Sequence, residues 1–314
     1  MKLIIQIPCY NEAKILPETL ETLPKNIEGF DIVEWLIVDD GSQDNTSDVA
    51  KAYGVDYIVK LPNNQGLAKS FMIGLEASLQ NQADVIVNLD ADNQYYSGDI
   101  IKLTNPILEG KADITIGERP ISEITQFSAI KKFLQRIGSL VVRQISGTNV
   151  IDAPSGFRAI SKNAALQINI FNDYTYTLEM IIQAGVKNMA ILSIPIKINQ
   201  VNKRPSRLIK SMPDYIIKSI FTITKIFMVY NPFKFFFSIG TLFFIPGFLL
   251  GLRWLVLFFI FEHTRTHIPS LILASILFTL GLSFYIVGAL SNVSAINRKI
   301  LEDIQLRLKK MELN

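Results

Sequence analysis

The chain has 314 residues, with 31 Lys and Arg against 28 Asp and Glu, 49% hydrophobic and only 19% charged residues, and one cysteine. That composition excludes a disordered or collagen-like chain and, with the apolar residues crowded after Tyr230, a purely soluble domain. The lone Cys9 excludes an internal disulfide and a cysteine-based zinc site, and a net charge of +3 gives no argument for nucleic acid as a partner.

Up to Gly117, short β-branched runs alternate with helical patterns. Strands are expected at Leu3–Ile7, Trp35–Val38, Tyr57–Lys60, Val85–Leu89 and Ile114–Ile116, and helices at Ile15–Leu23, Asp48–Tyr53 and Leu67–Leu79. Continuous apolar strands separated by helices imply an α/β fold with a mostly parallel sheet covered on both faces. The opening strand shows no separate charged and apolar regions of a signal peptide, so the soluble part is expected on the cytoplasmic side. Ala129–Ile145 sets Lys131, Lys132, Arg136 and Arg143 around Phe133, Leu134, Ile137, Leu140 and Val141. It reads either as a basic amphipathic helix or as an ordinary helix with a solvated face. A last soluble strand is expected at Ala190–Ile198, followed by Lys203, Arg204, Arg207 and Lys210. Asp214–Tyr230 repeats apolar residues at helical spacing and is expected to lie in a membrane interface, the alternative being a helix packed on the soluble domain.

Two membrane spans follow. Phe235–Leu252 holds 18 residues without a charge, its apolar run continuing past Arg253 to Phe261, and Ile268–Leu290 holds 23. At a rise of about 1.5 Å per residue, such segments match a hydrocarbon core of about 30 Å. Lys197–Lys234 carries eight Lys or Arg and the tail Asn292–Asn314 five, against Arg265 alone in the intervening loop. Positive-inside bias then puts both termini in the cytoplasm. The expected organisation is a catalytic domain over 1–210, a juxtamembrane amphipathic helix over 211–231, two spans within 232–291 (about 235–260 and 268–290), and a cytoplasmic helix over 292–314. Gly281 and Gly288 suit either a helix contact or an interface in a homo-oligomer.

The strongest chemical signal is Asn88-Leu89-Asp90-Ala91-Asp92-Asn93-Gln94, where a buried strand ends in two carboxylates one residue apart. Asp90, Asp92 and the Gln94 amide oxygen can converge on one point, and such hard oxygen ligands suit Mg²⁺ or Mn²⁺. Alone, Asp-x-Asp is a weak signal. Pro8-Cys9-Tyr10-Asn11-Glu12 ends the first strand, however, and Val38-Asp39-Asp40-Gly41-Ser42 through Thr46 ends the second. In a parallel sheet these loops open on the same edge as the acidic pair. Tyr10 offers a flat face for a base, Asp40 an acceptor for a base N–H, and Asp44 or Thr46 a cap for the next helix.

In this order and spacing, Pro8–Glu12, Val38–Thr46 and Asp90–Gln94 resemble the family 2 glycosyltransferases of the GT-A nucleotide-sugar fold. The resemblance extends to Gly117-Glu118-Arg119, Asp152–Arg158 and Arg204–Leu208, and is greatest to the polyprenyl-phosphate glycosyltransferases. It implies that Pro8, Tyr10, Glu12 and Asp40 hold the nucleoside. Asp90, Ala91, Asp92 and Gln94 would hold metal (Mg²⁺ or Mn²⁺) and diphosphate. Arg119 would contact phosphate, Arg204 and Arg207 would clamp the donor, and Asp152 would face the reaction centre as an orienting group or weak base. Arg136, Ser139 and Arg143 are the candidates for an acceptor phosphate. The expected activity is metal-dependent, inverting transfer of a hexose from a UDP- or GDP-sugar to polyprenyl phosphate at the cytoplasmic face. Its rivals are a family 2 transferase with another lipid or glycan acceptor, and a non-catalytic membrane scaffold. Two departures stand out: the loop after Asn93 lacks the family's His-Pro-Pro, and Gln135 stands where a basic residue is common.

Overall fold

The computed structural model describes residues 1–120, 129–171, 175–199, 212–261 and 268–313. Seven strands form one sheet: β1 (Lys2–Cys9), β2 (Ile32–Asp39), β3 (Tyr57–Lys60), β4 (Val85–Asn88), β5 (Ile114–Glu118), β6 (Arg158–Ser161) and β7 (Ile191–Pro195). Their order is β3-β2-β1-β4-β6-β5-β7. Every neighbouring pair is parallel except those of β6, which runs against both β4 and β5. The five sequence-expected strands in the first part of the chain are all present, and β6 is the strand that the hydrophobic pattern did not announce.

Alternation along β1 explains the two-sided burial. Leu3, Ile5 and Ile7 join Val33, Trp35, Ile37, Val85 and Val87 on one face. There they pack on α1 (Leu16–Thr22), α2 (Thr46–Ala52) and α4 (Ile100–Leu108) through Leu16, Leu20, Ala50, Ile100 and Leu103. α3 (Leu67–Gln80) lies on the other face. Gly74 lets it approach there: a Cβ at that position would stand 2.6 Å from Gln6 Oε1. Both faces being covered is what continuous apolar strands require. α5 (Ala129–Ser146), α6 (Lys162–Gln167) and α7 (Thr177–Val186) complete the soluble helices.

Met1–Ile223 and Leu306–Asn314 form one compact unit, and Thr224–Gln305 a second. The first unit thus includes the end of α10 (Ile268–Glu312), where Lys309 Nζ donates to Asn169 Oδ1 at 3.2 Å. The second is built from the end of α8 (Met212–Tyr230), α9 (Pro232–Phe261) and most of α10. α9 and α10 form an antiparallel hairpin packed through small residues. A Cβ on Gly240 would meet the Tyr285 ring at 2.7 Å, one on Gly247 the Phe278 nitrogen at 2.7 Å, and one on Gly281 the Phe244 Cβ at 2.8 Å. Among the described residues two helices are long and apolar enough to cross a membrane, Pro232–Ile260 and the apolar part of Ile268–Glu312, with mean hydropathies of 2.1 and 2.2. α10 remains helical beyond Leu290.

Candidate active site

Sheet topology gathers the polar loops. β1, β2, β4 and β5 all point their carboxyl ends to one edge, where ligands collect in open α/β sheets. Because β6 runs the other way, its amino end, and the Asp152–Phe157 loop before it, arrives at that same edge. Asn88 is paired with Arg158 in register, and the Gly117 amide donates to the Phe157 carbonyl at 2.8 Å.

The β1 and β2 loops are bonded to each other. Asn11 N donates to Ser42 Oγ and Glu12 N to Thr46 Oγ1, both at 2.9 Å, while Asn11 Oδ1 accepts from Gln43 N at 2.8 Å. Asn11 sits at φ 53°, a left-handed position that asparagine tolerates. Asp44 accepts from Ala13 N and Thr46 N, each at 3.1 Å, and hydrogen bonds to Thr46 and Ala13 help to hold its carboxyl below the usual value against the opposing effect of burial. Asp40 is buried and accepts from Gln65 N at 2.7 Å and Gly66 N at 2.9 Å, a carboxylate at the amino end of α3. Gly41, at φ +69°, is required here: a Cβ would stand 2.4 Å from the Asn63 carbonyl carbon. Pro8, Tyr10 and Glu12 are partly exposed along this rim.

Opposite stands the acidic pair. Asp90 and Asp92 are partly exposed, and Ala91 between them is buried. Burial pushes the Asp90 carboxyl up to about 7, with repulsion from Asp92 adding to it and Arg119, Tyr95 and Arg158 opposing it. Gly156 crowds this carboxylate, since a Cβ there would lie 2.5 Å from Oδ2 and 2.6 Å from Oδ1. Tyr95, itself buried, accepts the Gly156 N–H at 3.0 Å and bonds to Asp90. Among the described residues no group of three or more His, Cys, Asp or Glu comes together to hold a metal. Two carboxylates that repel each other are nevertheless oxygen donors of the kind a hard divalent cation takes, and the Gln94 backbone N–H bonds to one of them, Asp92 Oδ1, at 3.1 Å.

Arg119 and Asp152 form a buried pair. Arg119 Nε donates to Asp152 Oδ2 at 2.7 Å and Nη2 to Oδ1 at 3.0 Å, with the Arg119 backbone N–H on Oδ2 at 3.3 Å. Asp152 has no exposed surface and Arg119 only 9%. Neighbouring Tyr95 and Asp152 raise the guanidinium pKa, outweighing the lowering by burial. Arg158 is fully buried and donates to the carbonyls of Ser155 at 2.8 Å, Ala153 at 2.8 Å and Thr177 at 2.9 Å. Those bonds shape the loop that carries both Asp152 and Gly156. Ser139 on α5 is buried, its Oγ accepting from Ala153 N at 3.3 Å. Arg143 lies one turn further along the helix and is partly exposed. Arg136 falls on α5 in the stretch whose side chains are outside the described residues, as Arg204 and Arg207 are entirely. Tyr95, Gly156 and Arg158 escape a reading by residue type. Tyr95 lies in the loop after β4, and Gly156 and Arg158 had as their sequence signal only their place in the Asp152–Arg158 stretch, which ends at the first residue of β6.

The family model for glycosyl transferase family 2 matches residues 4–168. The chain is 31% identical over 201 residues to an uncharacterised protein of Methanocaldococcus jannaschii, covering 62% of this chain and 81% of that one. It is 27% identical to the undecaprenyl-phosphate mannosyltransferase of Micrococcus luteus (62% and 83% covered). Identity is again 27% to the UDP-N-acetylglucosamine–dolichyl-phosphate N-acetylglucosaminyltransferase of Methanococcus voltae (61% and 83%). Among solved structures, glucosyl-3-phosphoglycerate synthase from Mycobacterium tuberculosis, in complex with Mn²⁺, UDP-glucose and phosphoglyceric acid, superposes with a TM-score of 0.56. That match has 17% identity and covers 71% of this chain and 79% of that one. The fold is therefore GT-A, and the molecule is an enzyme of the glycosyltransferase class. Within that class the chain belongs to glycosyl transferase family 2.

Proposed function

We propose that this enzyme transfers a hexose from a nucleoside diphosphate sugar to polyprenyl phosphate at the cytoplasmic face of a membrane, inverting the anomeric centre. The observation that carries the reading is the meeting, on one sheet edge, of the Asp90–Asp92 pair, the Tyr10 and Asp40 loops and the Arg119–Asp152 pair. Two relatives carry undecaprenyl or dolichyl phosphate in their names, and the structural neighbour was solved with Mn²⁺ and UDP-glucose.

In this reading Asp90, Asp92 and Gln94 hold Mg²⁺ or Mn²⁺, which when bound neutralises charge on the departing nucleoside diphosphate. Tyr10 stacks on the base, while Pro8, Glu12 and Asp40 shape the nucleoside pocket. Asp152 works as an orienting group: Arg119 occupies both its carboxylate oxygens, and no water reaches it. Held this way, Arg119 directs its remaining N–H groups to phosphate oxygens, and Arg204 and Arg207 close on the donor. Arg143, partly exposed on α5, and Arg136 are the residues for the acceptor phosphate, while Ser139 is buried and supports the Asp152 loop through Ala153 N. A phosphate monoester has its second pKa near 6, so the attacking oxygen is already largely ionised at neutral pH and needs no strong base. Positioning and charge then supply most of the rate.

Membrane attachment follows from the apolar hairpin and from α8. Ile217, Ile220 and Phe221 are 67%, 60% and 69% exposed on one helical face beside Lys218, the pattern of a helix lying on anionic lipid. The test is transfer of radiolabelled hexose from a panel of UDP- and GDP-sugars to short polyprenyl phosphates. A lipid-linked product confirms the acceptor class, and transfer only to non-lipid glycans refutes it.

A further inference from the structure

The chain leaving β7 lies across the loop that follows the acidic pair. Tyr95 and Ile198 form an isolated antiparallel bridge. Tyr96 N donates to the Lys197 carbonyl at 3.2 Å and Asn199 N to the Gln94 carbonyl at 2.9 Å. At the far end Lys197 N donates to Asp99 Oδ2 at 2.6 Å. The Asn199 side chain completes the contact. Its Nδ2 reaches the Asn93 carbonyl at 3.0 Å, Asn93 Oδ1 at 3.1 Å and the Tyr95 carbonyl at 3.1 Å. One amide group thus shares its two N–H bonds among three oxygens.

Those oxygens belong to the turn that follows the acidic pair. Asn93 stands at φ 53°, in the left-handed region, and reverses the chain between Asp92 and Tyr95. On one side of it the Gln94 amide bonds to Asp92 Oδ1 at 3.1 Å. On the other, the Tyr95 hydroxyl touches Asp90 and the Gly156 amide. Fixing Asn93 and Tyr95 therefore fixes the backbone that aims Asp92 and the ring that supports Asp90.

We propose that Asn199 is a positioning residue for the cation and diphosphate loop, acting through Asp92, Gln94 and Tyr95 without touching substrate; the inference rests on the proposed role of Asp90 and Asp92. Only a donor satisfies the position. An aspartate of nearly the same shape turns an oxygen toward three oxygens, and an alanine leaves them without the side chain's N–H groups.

The test compares full-length wild type, Asn199→Asp and Asn199→Ala. Three quantities are read: the Mn²⁺ concentration giving half-maximal transfer, the acceptor KM, and amide hydrogen exchange over residues 93–99. Loss of a residue that orients metal ligands costs about 10- to 100-fold in metal affinity or activity. Asn199→Asp should raise the half-activating Mn²⁺ concentration by about that factor and leave the acceptor KM within about twofold. Asn199→Ala should move it in the same direction by less, with faster exchange at Tyr96. Unchanged Mn²⁺ activation in both variants overturns the proposal, as does a lower melting temperature with activation unmoved, which marks a purely structural role. Should Asn199→Asp fail to fold, Asn199→Ala decides. A wild type equally active in EDTA would instead refute the metal reading. The exchange measurement then judges the latch separately: faster exchange in Asn199→Ala upholds it, and unchanged exchange overturns it.

Discussion

Gly156→Ala tests the site without removing any polar group. A Cβ at residue 156 would lie 2.5 and 2.6 Å from the Asp90 oxygens and 2.8 Å from Cγ, where ordinary contact begins at 3.4 Å. The Asp90 carboxylate must therefore retreat by about 0.9 Å. Metal ligands tolerate about 0.2 Å, and a misplacement of about 1 Å in a reacting assembly costs about 100-fold. The backbone itself accepts alanine, because residue 156 is not among the glycines of positive φ. Overpacking of about 1–3 kcal/mol is partly offset by the lower unfolded-state entropy of alanine, about 0.4–1 kcal/mol. The variant should fold, melt within several degrees of wild type and lose about 100-fold in kcat/KM, or about 2.7 kcal/mol of transition-state stabilisation. The assay is radiolabelled hexose transfer across a Mn²⁺ titration, paired with a thermal melt. Wild-type turnover and Mn²⁺ dependence in a folded Gly156→Ala protein would refute the placement of Asp90 in the site.

Other consequences are separable. The raised Asp90 pKa means that the folded, metal-free protein disfavours the ionised form, so its contribution to stability falls as pH rises from about 4 toward 7. Asp90→Asn should match wild type in melting temperature near pH 4 and exceed it above pH 7 in EDTA; an advantage that shrinks with rising pH would contradict this. Asp152→Asn should cut turnover while leaving the shape of the pH–rate profile unchanged, whereas loss of the acidic limb would make Asp152 a base. Asp40→Ala deprives two amides at the head of α3 of their acceptor. It should cost about 1–3 kcal/mol and weaken nucleotide binding, read by denaturant melts and UDP titration. Deleting 306–314 removes a segment that packs within the first unit. It should lower the melting temperature by a few degrees, at about 2–4 °C per kcal/mol, and an unchanged melt would show that the contact adds nothing.

Much of the sheet was legible because its strands are buried on both faces and read as unbroken apolar runs. Leu3–Ile7, interrupted only by Gln6, follows that rule, whereas Tyr57–Lys60 is a partly exposed edge strand recognised by its short β-branched run. β6 was not legible, because Arg158 in a four-residue strand reads as a loop residue. Its charge is tolerated only because the carbonyls of Ala153, Ser155 and Thr177 come to it in the folded chain. The antiparallel direction of β6 then brings Asp152 to the edge where Arg119 waits, a pairing across 33 residues that spacing cannot reveal. Asp90 and Asp92 announced themselves by type and position. Tyr95, Gly156 and Asn199 did not, since their roles lie in what they touch. α8 and α9 follow their apolar patterns closely, with α9 adding Pro232–Lys234 before the uncharged run. The helical course of α10 past Leu290 was hidden by the change from apolar to polar residues, which alters the surroundings of the helix but not its backbone.

The most direct measurement is transfer by the full-length enzyme in vesicles carrying undecaprenyl or dolichyl phosphate, with Asp90→Ala alongside. The account predicts a hexosyl-phospholipid formed from a UDP- or GDP-sugar when Mn²⁺ or Mg²⁺ is present, and lost both in EDTA and in the variant. Product formed at equal rates in EDTA and by Asp90→Ala would contradict it.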